Sequence, residues 1–126
     1  MTTERSQIYK CEVCGNIIEI MHGSSGELVC CNKPMKLHKE NTVDASKEKH
    51  VPVLEDNGTT IKVKVGATPH PMTPEHYIEW IEVINNDYVN RKYLKPDGKS
   101  EADFYVHKQP GLIMREYCNL HGLWKA

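Results

Sequence analysis

No apolar run in this 126-residue chain approaches the ~20 residues that a membrane-spanning helix needs, and mean hydropathy is -0.58. A soluble protein is therefore expected. The opening residues, Met1 to Gln7, carry no apolar stretch of the signal-peptide kind. Neither sign of charge dominates: 16 basic residues stand against 17 acidic ones, for a formal net charge of -1. That balance leaves no electrostatic footprint for nucleic acid. Internal repeats, low-complexity tracts and blocks of like charge are absent, and no segment has the period of a long amphipathic helix. Together these absences predict a cytoplasmic protein in a reducing environment, where cysteines stay free or bind metal. The cysteine count of five, being odd, also fits a disulfide framework poorly.

The five cysteines fall into two groups. Cys11, Cys14, Cys30 and Cys31 lie in the first quarter of the chain, and Cys118 stands alone near the end. Cys11 and Cys14 have the C-x-x-C spacing that lets two thiolates reach one ion from a tight turn. After 15 intervening residues Cys30 and Cys31 supply two more. Four soft thiolates make a tetrahedral metal site, and sulfur donors accept zinc and iron alike. Adjacent side chains in an extended segment point to opposite sides, so the backbone must bend for Cys30 and Cys31 to face one metal. A distorted tetrahedron is expected. A structural zinc knuckle and an iron site both remain open on spacing alone.

Cys118 sits in Cys118-Asn119-Leu120-His121. His50 ends a polar loop, and His70 and His76 bracket a loop that two prolines stiffen. Gly122 allows a sharp exit after His121. A lone histidine is usually an ordinary surface residue, and His22, His38 and His107 are read that way. His50, His70, His76 and His121 differ in accompanying a lone thiol at places where strands give way to loops. Four imidazoles and one thiolate make five donors. Structural zinc prefers four, so five point to iron. The sixth position would then stay open to a small ligand, and the cationic centre would attract an anion. Lys49 and Lys47 add positive charge there, and Glu48 is a candidate ligand or proton-handling group.

The predicted fold is mainly β. Residues 1–38 form a unit too small to bury an adequate core without a metal or a partner chain. It holds short strands at 8–10 and 17–21. Residues 39–126 form a second domain, opening with a polar linker and one helical turn around Asp44 to Lys47. Strands follow at 51–54, 61–65, 77–84, 88–94, 102–106 and 112–117, with Asp56-Asn57-Gly58 and Lys95-Pro96-Asp97-Gly98 marking turns. Ile61, Val63 and Val65 alternate with Lys62 and Lys64, the pattern of a half-buried strand. Six or seven short strands predict an immunoglobulin-like antiparallel β-sandwich, with 112–117 as the last strand.

Several runs carry a resemblance to a known family. They are Tyr9-Lys-Cys-Glu-Val-Cys-Gly-Asn16, Leu28-Val-Cys-Cys31, Glu40-Asn-Thr-Val-Asp-Ala-Ser-Lys-Glu-Lys-His-Val-Pro52, Lys62-Val-Lys-Val-Gly66, His70-Pro-Met72, Glu75-His-Tyr-Ile-Glu-Trp80 and Glu116-Tyr-Cys-Asn-Leu-His-Gly122. In this order they resemble desulfoferrodoxin, the two-iron class of superoxide reductase, over nearly the whole chain. Residues 85 to 111 carry less of the likeness. The resemblance implies a desulforedoxin-like N-terminal domain holding one iron on Cys11, Cys14, Cys30 and Cys31. It implies a second iron held by His50, His70, His76 and His121 with Cys118 as axial sulfur. Glu48 and Lys49 match the family's catalytic pair. The implied activity is one-electron reduction of superoxide to hydrogen peroxide without dioxygen, with electrons from a rubredoxin-like donor. The small N-terminal unit is expected to gain its missing core by pairing with a second copy, which predicts a homodimer. Pure electron transfer, a zinc-stabilised binding module and a superoxide dismutase are the competing readings. Visible colour argues against zinc, and the ratio of peroxide to superoxide separates reductase from dismutase.

Overall fold

The computed structural model describes residues 2–43 and 49–126. The expected helical turn around 44–47 lies outside the described residues. These residues form β-strands and connections, with no helix among them. None of their segments is therefore a helix long and apolar enough to cross a membrane. The chain divides into two compact units, Met1–Lys39 and Glu40–Ala126.

The first unit holds five short strands: β1 (Ile8–Lys10), β2 (Ile17–Glu19), β3 (Val29–Cys30), β4 (Lys33–Pro34) and β5 (Lys36–His38). β1 is the middle of a three-stranded antiparallel sheet between β2 and β5, and β3 pairs with β4 as a separate hairpin. Its core consists of Tyr9, Cys11, Ile20 and Met35, with Ile18, Leu28 and Cys30 packed against them. Two of those seven side chains are thiols. So small an apolar cluster stabilises little by itself, and a cation tying the sulfurs together would supply what burial does not.

The second unit is an immunoglobulin-like β-sandwich of two antiparallel sheets. β6 (Pro52–Asp56), β7 (Ile61–Val65) and β10 (Glu101–Phe104) form one, in the order β10-β7-β6. β8 (Ile78–Asn85), β9 (Tyr88–Tyr93), β11 (Ile113–Cys118) and β12 (Gly122–Lys125) form the other, in the order β12-β11-β8-β9. The three-plus-four count is that of a seven-stranded sandwich. β7 behaves as its alternation predicts. Ile61, Val63 and Val65 are buried among Ile78, Ile81 and Val83 of β8 and Phe104 of β10. Lys62 and Lys64 face out and pair diagonally across the ladder, Lys62 with Glu101 at 3.0 Å and Lys64 with Glu55 at 2.9 Å.

β8 is buried on both faces, which simple alternation does not explain. Its outward side chains Trp80 and Glu82 are covered from β11. Trp80 stacks on Tyr117, with centroids 4.6 Å apart and planes 6° from parallel. Glu82 is fully buried and saturated with donors. It accepts from the Trp80 indole at 3.0 Å, from Arg91 at 2.9 Å and from Arg115 at 3.3 Å. Arg115 also binds Glu40 at 3.1 Å, and Glu40 binds Lys125 at 3.2 Å. The first residues of this unit are thus fastened along β12. Asn41 continues that contact, donating its side-chain amide to the Leu123 carbonyl at 3.0 Å.

β12 corrects the expectation that 112–117 is the last strand. Four residues with adjacent buried Leu123 and Trp124 show no alternation. Only pairing with β11 makes them a strand.

Candidate metal centres

The four N-terminal thiols meet between two tight turns. In the first, Gly15 N–H donates to the Cys11 carbonyl at 3.0 Å. The amides of Cys14 and Asn16 point at the sulfurs of Cys11 and Cys14, each at 3.4 Å. In the second, Cys31 and Asn32 link β3 to β4 as a two-residue loop, and both have positive φ, 52° and 63°. That is the backbone of a type I′ hairpin. It supplies the bend by which two adjacent cysteines turn to the same side. The Sγ atoms of Cys14 and Cys30 are 3.6 Å apart, and those of Cys30 and Cys31 are 3.9 Å apart. A tetrahedron with metal–sulfur bonds of about 2.3 Å has edges of about 3.8 Å. The backbone amide of Cys14 helps draw the Cys11 thiol down to about 6. Its sulfur neighbours, Cys14 first, push Cys30 up to about 12. One thiolate forms readily here, and the next is opposed by its neighbours. Four can coexist only around a cation, so this donor set fits a metal ion.

The second group is built from four segments of the sandwich. His50 enters just before β6. The Lys49–His50 backbone lies so close to Gly66 that a Cβ there would stand 2.3 Å from the Lys49 carbonyl oxygen. Gly66 also has φ +80°, a conformation side chains resist. His70 follows β7, and its backbone N–H donates to Ser100 Oγ at 3.3 Å. Its Nδ1 lies 2.7 Å from the Pro71 carbonyl. A carbonyl only accepts, so Nδ1 carries the proton and Nε2 turns its lone pair to the site. His76 closes the turn Thr73-Pro74-Glu75-His76, where Thr73 and His76 exchange backbone hydrogen bonds at 3.0 and 3.1 Å. Cys118 ends β11 at an irregularity. Tyr117 pairs with Trp80 but Cys118 pairs with Ile78, so β8 carries one extra residue there. Such a bulge re-aims the side chain beside it, and Cys118 is fully buried in the sandwich core. Gly122, at φ +86°, turns the chain back after His121.

The four imidazoles form a closed ring. Successive centroids are 4.7 Å (His50–His70), 4.7 Å (His70–His76), 5.0 Å (His76–His121) and 4.9 Å (His121–His50) apart. Each ring stands 61° to 83° from its neighbour. Cys118 Sγ lies 3.6 Å from His70 Nε2 and 3.7 Å from His121 Nδ1, which belong to opposite corners. The sulfur therefore sits near the axis of the ring. The Nε2 atoms of His50 and His70 are 3.1 Å apart. A square with that edge has its centre about 2.2 Å from each corner, close to a metal–imidazole bond of about 2.0–2.1 Å. All five donor atoms lie within 4.8 Å of one another. These donors fit a five-ligand metal centre. His50 and His70 are buried, His76 is half-buried and His121 is exposed, so the ring meets water along the His76–His121 side.

Lys49 is half-buried beside this group, and Glu48 and Lys47 lie outside the described residues. His22 and His107 are exposed and His38 is half-buried in β5, all three apart from both donor groups. Three further residues support the ring without having been singled out in the sequence. Ser100 holds His70. Trp124 stacks on His50 with centroids 4.6 Å apart and 14° between planes, and its indole N–H donates to the His121 carbonyl at 3.2 Å. Asn119 grips both neighbours of His76. Asn119 lay inside a quoted run, but nothing in one sequence shows which backbone it reaches.

A family model described as desulfoferrodoxin matches residues 42–126, and one for the desulfoferrodoxin N-terminal domain matches residues 3–38. The chain belongs to the desulfoferrodoxin family. A desulfoferrodoxin of Syntrophotalea carbinolica is 57% identical over 123 residues, covering 98% of this chain and 97% of that one. The crystal structure of the superoxide reductase from Treponema pallidum superposes with a TM-score of 0.77 at 32% identity, covering 95% of this chain and 96% of its own. A superoxide reductase of the 1Fe type from Giardia intestinalis gives a TM-score of 0.56 at 33% identity. It covers 64% of this desulfoferrodoxin-family chain and 96% of its own.

Proposed function

We propose that the protein is a superoxide reductase, which adds one electron and two protons to superoxide and releases hydrogen peroxide without forming dioxygen. The observation that carries this reading is the closed ring of four imidazoles with one buried thiolate near its axis. Its similarity to superoxide reductases from Treponema pallidum and Giardia intestinalis supports it. His50, His70, His76, His121 and Cys118 would hold iron, which when bound would supply one-electron redox chemistry, with a small rubredoxin-like protein as the source of electrons.

The protein's own residues do the rest. Five donors would leave room for a small anion on a bound metal. Burial of His50, His70 and Cys118 keeps bulk water from that side of the ring, while exposed His121 leaves an approach for substrate and solvent protons. Lys49, next to His50 in the chain, raises the local concentration of the superoxide anion. Glu48, two residues before His50 in the chain, would handle protons or serve as a further ligand. Cys11, Cys14, Cys30 and Cys31 would hold a second iron, which would supply a one-electron store or hold the unit together. Each unit then carries one metal, with residues 1–38 and 39–126 as the two domains.

Val13, Met21 and Val29 expose apolar surface on the small first unit, which supports a homodimer in which a second copy covers them. Thiols kept as metal ligands suit the reducing cytoplasm, where the protein removes superoxide.

The test is stopped-flow mixing of the reduced, iron-loaded protein with superoxide, following the histidine-site iron, peroxide and dioxygen. One peroxide per superoxide with no dioxygen is expected, and Lys49→Ala slows the second-order step roughly tenfold at low salt. Dioxygen appearing beside peroxide identifies a dismutase. Iron that stays reduced rules out both.

A further inference from the structure

Cys118 and His76 arrive at the ring on different segments, and one side chain ties them together. Asn119, directly after the thiolate, reaches the residues on both sides of His76. Its Oδ1 accepts from the Tyr77 N–H at 2.9 Å, and its Nδ2 donates to the Glu75 carbonyl at 2.9 Å. Its own backbone N–H donates to the Tyr77 carbonyl at 3.2 Å. A carboxamide carries a donor and an acceptor in one plane, as a peptide group does. The Asn119 side chain thus stands in for a further step of sheet pairing. The ladder between β8 and β11 ends at Ile78 and Cys118. Asn119 extends the connection past that end to the backbone that carries His76. His76 is also held by the Thr73 turn, in which Thr73 Oγ1 accepts from the His76 N–H at 3.1 Å.

We propose that Asn119 is a positioning residue that fixes the direction of the Cys118 sulfur and the His76 imidazole as one unit. The inference rests on the metal-centre reading above and adds to it a specific coupling between two ligands. The chemistry requires a carboxamide at this place. A carboxylate keeps the acceptor for Tyr77 but turns a negative oxygen towards the Glu75 carbonyl, and a methyl group keeps neither bond.

The experiment compares iron-loaded wild type, Asn119→Ala and Asn119→Asp. Chelator competition reads the affinity of the histidine–cysteine site, with the four-cysteine iron as internal control. The energy of the thiolate-to-iron absorption of the oxidised protein reads the sulfur's direction. Asn119→Ala is expected to lose 10–100-fold in affinity at that site alone, as outer partners of ligands commonly do. Its absorption band shifts per bound iron, and Asn119→Asp moves the same way by less. A purely structural role would lower occupancy and leave the band where it was, which overturns the proposal. So does wild-type affinity, within about twofold, in Asn119→Ala. If Asn119→Ala loses its β-sheet circular dichroism, Asn119→Asp decides by the same criterion. A wild-type protein that fills the four-cysteine site but takes no iron at the second overturns the metal-centre reading, and this inference with it.

Discussion

Trp124 touches two adjacent corners of the histidine ring, and its replacement separates two contributions. The indole is nearly buried, stacks on His50 at 4.6 Å and donates to the His121 carbonyl at 3.2 Å. Trp124→Phe keeps an aromatic face for His50 and removes the donor. Losing one hydrogen bond of this kind costs about 1 kcal/mol. Trp124→Leu also removes the stacked pair, worth roughly 0.5–1.5 kcal/mol, and part of the buried area. The total approaches the lower end of the ~3–5 kcal/mol seen when a buried tryptophan is truncated. Urea unfolding of the metal-free protein checks this, because bound metal breaks the two-state assumption. Trp80 serves as the probe: it remains in both variants and lies in the same unit, stacked on Tyr117. With a slope of about 1–3 kcal/mol per molar urea, Trp124→Phe should lower the midpoint by roughly 0.5 M and Trp124→Leu by about 1–2 M. Iron affinity of the histidine–cysteine site should follow the same order. Equal midpoints for Phe and Leu would refute the stacking argument. A Trp124→Leu protein as stable as wild type would refute the reasoning altogether.

Three other perturbations address the frame around the two sites. Glu82→Leu removes the fully buried carboxylate from Arg115, Arg91 and the Trp80 indole, and should cost about 3–5 kcal/mol of sandwich stability by urea denaturation. Asn32→Val forces a β-branched residue to φ 63° in the cysteine hairpin. It should weaken that turn by about 1–2 kcal/mol and speed loss of iron from the four-cysteine site to a chelator, whereas Asn32→Gly should not. Burial, aided by Lys10, holds the His38 imidazole below its ordinary value. Between that lowered value and about 6.5 the unfolded chain binds more protons than the folded one, so stability falls as pH drops through this window. His38→Gln should remove this part of the acid sensitivity of the first unit, measured by thermal melts from pH 7 to 5.

Local spacing carried much of the site. Cys11-x-x-Cys14, Cys30-Cys31 and Cys118-x-x-His121 are short-range patterns, because two ligands on one turn must sit a fixed number of residues apart. The alternation around Val63 carried β7 in the same way, since side chains in a strand switch faces at each step. The need for a bend at Cys30-Cys31 was also legible. That the bend is a type I′ turn with Cys31 and Asn32 in the left-handed region was not, because neither residue is a glycine that signals it. β12 escaped because its buried pair Leu123 and Trp124 gains a partner only through the fold.

The sequence by itself determined which side chains could hold metal, and that they divide into a sulfur group and a histidine group. Those properties belong to residue type and near-neighbour spacing. Only the tertiary structure decided the order of the four imidazoles around the ring, the place of Cys118 near its axis, and the residues that brace each corner. His50, His70, His76 and Cys118 come from segments that meet because the two sheets close on one core. The bulge opposite Cys118, the close approach of Gly66 to Lys49 and the reach of Asn119 to His76 are consequences of that closure. They depend on distances between strands, and no spacing along the chain encodes those directly.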